Sequence, residues 1–163
     1  MHAEKPVALY PGLGTWHHPI GTTNPDAQKF FDQGLVLMYG FNRYEAIRSF
    51  TKSADLDPGA AMAYWGIAMS TGPYLNMEMD STYNMKQSCE AVKKGLAVKE
   101  LRPTDRSWLE VAGSRCPDFS DPNHYVSAMR ALAEQHPDDP DAQTLYAEAL
   151  LVRVRWRWYD ARG

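Results

Sequence analysis

Two adjacent histidines followed by a proline, His17-His18-Pro19, are the residues of this sequence best suited to hold a metal ion. Imidazole suits copper or zinc, and Met77-Glu78-Met79-Asp80 supplies thioether and carboxylate donors farther along the chain. The candidate ligands are therefore His17, His18, Met77, Glu78 and Met79. Neighbouring histidines in a proline-rich stretch lack the i, i+4 spacing that puts two rings on one helix face, and no motif of recognised ligand spacing accompanies them.

The two cysteines, Cys89 and Cys116, form no C-x-x-C, so neither a thioredoxin-like site nor c-type haem attachment is indicated. They lie thirteen residues to either side of Arg102-Pro103, where a turn is expected. Antiparallel helices meeting there would bring them level, which favours a disulfide in an exported setting and two buried thiols otherwise. The acidic run Asp138-Asp139-Pro140-Asp141 lacks the spacing and glycine of a calcium loop and fits a helix start. No nucleophile elbow, phosphate loop or dinucleotide fingerprint is present, so no catalytic residue is assigned and the chain is not expected to be an enzyme. The run Arg153-Val154-Arg155-Trp156-Arg157-Trp158-Tyr159 interleaves basic and aromatic residues. With 17 basic against 20 acidic residues overall, it reads as a connector and not as a nucleic-acid or membrane surface.

The elements that must position these residues are helical. No apolar stretch approaches the ~20 residues that cross a bilayer, and the opening Met1 to Pro6 lacks the apolar core of a signal peptide. Residues 1–25 carry Pro6, Pro11, Gly12, Gly14, Pro19, Gly21 and Pro25, which predicts an extended N-terminal arm. From Asp26 the spacing of Phe30, Phe31, Gly34, Leu35 and Met38 predicts a helix, and Arg43 to Leu56 a second one stopped by Asp57-Pro58-Gly59. The hairpin recurs. An alanine precedes a proline by twelve residues at Ala46/Pro58, Ala91/Pro103 and Ala128/Pro140, and a helix with a small residue near its middle lies upstream of each. The prolines are 45 and then 37 residues apart, which places extra residues at 72–85 and 116–123. The expected organisation is all-α: an arm over 1–25, helical repeats over 26–151 and a connector over 152–163.

These residues resemble the tetratricopeptide repeat, whose signature sets an aromatic four residues before a glycine, then Ala-x3-Phe and a proline in a 34-residue unit. Phe30, Gly34, Ala46, Phe50 and Pro58 fall on it; the second copy has Gly95 at the phenylalanine position and the third has Leu132. Gly14-Thr15-Trp16-His17-His18-Pro19-Ile20 and Ala61-Met62-Ala63-Tyr64-Trp65-Gly66-Ile67-Ala68 also look like the N-terminal part of longer exported bacterial tetratricopeptide proteins. The resemblance implies an α-solenoid of about three and a half antiparallel hairpins, a periplasmic address, and a fragment or truncation of a longer chain. It further implies an apolar concave groove for a protein or peptide partner, with Phe31, Leu35, Met38, Met62, Trp65 and Met69 pointing into it. Something must cover such a groove: either the arm, anchored by Leu13, Trp16 and Ile20, or an external peptide. The helix after Pro140 has no successor, so Leu145, Ala149 and Leu150 are expected to lie uncovered and to drive self-association. The alternative function is a copper- or zinc-binding or redox accessory protein that uses the His17-His18 arm and the Met77 to Asp80 loop.

Overall fold

Asn24 ends the arm and starts the first helix: its side-chain oxygen accepts from the backbone N–H groups of Asp26 and Ala27, at 3.0 and 3.2 Å. In this computed structural model, which describes residues 6–75 and 84–154 together with 157, 159 and 162, the same device recurs. Asn42, Asn84 and Asp121 cap later helices in the same way, and proline begins four of the seven, where its missing N–H costs nothing. The elements are α1 (Pro25–Tyr39), α2 (Arg43–Leu56), α3 (Ala61–Thr71), α4 (Met85–Leu96), α5 (Pro103–Gly113), α6 (Pro122–Gln135) and α7 (Pro140–Val154). The described residues contain no strand, and the chain is all-α. No helix among them is long and apolar enough to cross a membrane.

Each helix packs on the next in sequence, and α3 also meets α1 and α5. The fully buried ring of Phe50 explains the close approach of α1, α2 and α3. A Cβ on Gly34 would stand 2.7 Å from that ring, and one on Gly66 would collide with it, so two helices offer bare backbone to one phenylalanine. In the second copy the relation is inverted. Gly95 on α4 presents no side chain, and Leu109 of α5 fills the space, so close that a Cβ at Gly95 would stand 2.6 Å from it.

Cys89 on α4 and Cys116 just beyond α5 form a disulfide, with Cα atoms 5.8 Å apart. The two positions are level, as their spacing about Arg102-Pro103 predicts.

Two expectations at the C-terminal end are corrected. Helix α7 runs to Val154, beyond the expected end of the repeats at 151, so the first residues of the 152–163 connector are helical. Leu145 and Ala149 are buried and Leu150 is half-buried, because α7 packs on α6 and these residues join the same apolar core as Met129 and Leu132. Among the described residues, α6 is the only helix on which the α7 backbone packs closely.

Candidate functional site

The six residues assigned to a groove are divided by their depth. Phe31, Leu35, Met62 and Trp65 lie inside the core, each no more than 2% exposed. Phe31 stacks against Phe50 and Trp65, and Trp65 meets Trp108 of α5 edge-on at 5.3 Å. Helix α5 thus closes over α3. Met38 and Met69 are buried as well, at 6% and 4% exposed, but they also line the wall of a pocket.

The arm covers much of the rest. Ile20 is buried, Leu13 is half-buried against the core, and Trp16 stands exposed at the pocket rim. Two glutamines of α1 hold the arm by its backbone. Gln28 donates to the His18 carbonyl at 2.9 Å and accepts from the Ile20 N–H at 3.1 Å. Gln33 donates to the Ala8 carbonyl at 3.0 Å and accepts from the Tyr10 N–H at 2.7 Å. Each amide thereby bridges residues i and i+2 of the arm without reading its side chains. Gln33 is itself buried and also donates to Ser49, so its arm contacts satisfy a group that burial would otherwise leave costly.

The two histidines part company. His17 is largely exposed and pairs through Nδ1 with Asp32 at 2.9 Å. His18 turns inward between Phe31 and Trp108, with its Nδ1 2.7 Å from an oxygen of Asp141. The other Asp141 oxygen accepts from the Tyr39 hydroxyl, also at 2.7 Å. Asp139, which caps α7 by accepting from the N–H groups of Asp141 and Ala142, completes a set whose ligand-type atoms lie within 4.8 Å of one another: His18, Asp139 and Asp141. Burial lowers the His18 pKa, but the hydrogen bond His18 makes to Asp141 and the charges of Asp141, Asp139 and Asp32 outweigh it and raise the value overall. Burial first, and then the Asp141 charge and hydrogen bond, push the Tyr39 hydroxyl far above its ordinary range. Met77, Glu78, Met79 and Asp80 lie outside the described residues.

Between α1, the segment following α3, and α7 lies a pocket of about 610 Å3. Val36, Met38, Met69, Leu145 and Leu151 make its walls apolar, while Arg43, Asp141 and Glu148 bring charge to it. Arg43 is largely committed to the protein. It stacks over the Tyr74 ring at 3.9 Å and donates to the carbonyls of Met69, Ser70 and Gly72, and burial lowers its pKa to about 10. Arg115 is buried, donates to the carbonyls of Ala112, Pro73 and Ala68, and faces the Tyr125 ring. Glu148 accepts from the Leu75 N–H, and burial raises its pKa against the opposing pull of Arg43 and Arg115.

Sequence reasoning missed Gln28, Gln33, Tyr39, Arg43, Arg115, Asp139, Asp141 and Glu148 as members of this constellation. Asp139 and Asp141 were legible only as a helix start. The partners of the others lie across the fold, and no local motif marks them. No family model matches the chain, and no curated protein and no solved structure matches it either.

Proposed function

We propose that the chain is a tetratricopeptide-type scaffold, a solenoid of about three and a half hairpins that holds a protein or peptide partner and does no chemistry of its own. The observation that carries this reading is the pocket between α1 and α7. It is large enough for a bulky side chain, apolar in its walls, and lined by Met38 and Met69, two residues the repeat pattern assigns to a partner-binding face. The run of contacts from α1 to α3 to α5, the first helices of successive hairpins, supports a stacked array. The partner is a peptide segment that inserts an aromatic or large aliphatic side chain. The Cys89–Cys116 bridge supports an exported address, since such bonds persist in oxidising compartments.

Ala147 is exposed on the pocket wall, so Ala147→Trp would fill the pocket without disturbing the core. Peptides displayed on phage and selected on the immobilised protein are expected to share an aromatic or large aliphatic anchor. Binding of those peptides should be lost in Ala147→Trp at unchanged helicity and melting temperature. Selection of no common anchor, or equal binding by the variant, would overturn the reading.

A further inference from the structure

We infer that His18, Asp139 and Asp141 form a binding site for a divalent d-block cation, zinc before others, which staples the N-terminal arm to the turn between α6 and α7. The geometry is local in space and remote in sequence. One donor atom from each residue lies within 4.8 Å of the others, although His18 and Asp141 are 123 residues apart. One imidazole and two carboxylates make a donor set that suits zinc and leaves a fourth position open to water.

Two further features distinguish the cluster from a plain ion pair. The first is outer support, which metal sites use to fix ligand orientation. One Asp141 oxygen is held by the Tyr39 hydroxyl, one Asp139 oxygen by the backbone N–H groups of Asp141 and Ala142, and the His18 ring by Phe31 and Trp108. The second is charge. A His–Asp pair needs one carboxylate, yet here a second half-buried carboxylate is brought to the same point, and a dication offsets both. A pocket of about 380 Å3, lined by Trp16, His17, His136 and all three donors, gives an ion a route in. His17 takes no part, because its ring is turned to Asp32. The site shares Asp141 with the wall of the peptide pocket, so the two readings are separated by measuring zinc binding with no peptide present and by substituting His18 and Asp139, which do not line that pocket.

The test uses protein purified without a histidine tag, stripped with chelator and titrated with Zn2+ alone by calorimetry. One zinc per chain with micromolar or tighter affinity is expected. His18→Gln and Asp139→Asn should each weaken binding at least about tenfold, and His17→Gln should leave it unchanged. Asparagine keeps the oxygen that caps α7, so Asp139→Asn remains decisive if His18→Gln fails to fold. At one fixed zinc concentration the melting temperature of the wild type and of His17→Gln should rise equally, and that of Asp139→Asn by less. Absence of saturable binding, binding of undiminished affinity in Asp139→Asn, or binding that falls with His17→Gln would overturn the assignment.

Discussion

The first and last hairpins are built from the same pattern and held in different ways. In the first, Phe50 is driven between two glycines, Gly34 of its own hairpin and Gly66 of the next, and the arm is tied across the outside by Gln28 and Gln33. In the last, made of α5 and α6, Leu132 stands at the phenylalanine position, and the backbone of the following helix, α7, packs only on α6 among the described residues. What α7 gains instead is long-range polar contact: His18 and Tyr39 reach Asp141, and the Leu75 backbone reaches Glu148. The first hairpin is fixed chiefly by the fit of one ring between two glycines, whereas α7 adds to its apolar packing on α6 directed hydrogen bonds made to distant parts of the chain.

The comparison is broken most directly by truncating the two equivalent side chains. Phe50→Ala removes a fully buried ring with glycines on both sides and should cost about 3–5 kcal/mol in urea unfolding, or prevent folding. Leu132→Ala should cost less, about 2–3 kcal/mol, since the outer side of its hairpin is thinner. An equal or larger loss at Leu132 would show that the last hairpin is held by packing after all.

Smaller in effect, and more diagnostic, is Tyr39→Phe, which removes only the hydroxyl that donates to Asp141. A hydrogen bond to a charged group contributes about 1.5–3 kcal/mol. The loss should be local: hydrogen exchange in α7 should quicken while α1 and α2 keep their protection. Uniform loss along the chain would mean that α7 is not a separately opening unit.

Much of the first hairpin could be read from the sequence because its causes are local. The helix start at Asp26, the stop at Asp57-Pro58-Gly59 and the spacing of Phe30, Gly34, Ala46 and Phe50 sit within a few turns of what they determine. The cysteine pairing was legible for a related reason, since two positions equidistant from a turn are level in an antiparallel pair. The site was not. The depth of Trp65 depends on where α5 lies, and the partner of His18 on where α7 lies. Arg115 meets carbonyls 42 and 47 residues away, which no period marks. Inner-helix position alone therefore did not separate Met38 and Met69, at the pocket, from Phe31 and Met62, in the core.

Tyr125 on α6 sharpens the comparison from inside the last hairpin. Its buried hydroxyl has no hydrogen-bond partner among the described residues, a cost that the first hairpin avoids by giving Gln33 and Ser53 full partners. Tyr125→Phe keeps the ring against Arg115 and Phe119 and removes the unpaired group, so it should stabilise the fold by up to about 1 kcal/mol. Destabilisation in chemical unfolding would mean that the hydroxyl is satisfied in solution.

The smallest effect expected is that of Glu148, which is half-buried and partly screened by solvent, and its sign follows from linkage. Burial raises its pKa in the folded protein above the unfolded carboxylate value of about 4.3, despite Arg43 and Arg115. Between the two values the native state binds more protons than the unfolded state, so stability falls as pH rises through that interval and the loss is complete above the folded pKa. Glu148→Gln keeps an oxygen for the Leu75 N–H and cannot ionise. The variant should match the wild type at acid pH and become the more stable of the two as pH rises from the carboxylate range toward neutrality. Taking the difference between the two proteins cancels the contribution of His18, whose raised pKa produces a fall of the same sign in a higher window. If the variant is instead less stable at neutral pH, the carboxylate does more good as a counter-charge to Arg43 and Arg115 than its burial costs. Helix α7 would then be held by an ion pair as well as by hydrogen bonds.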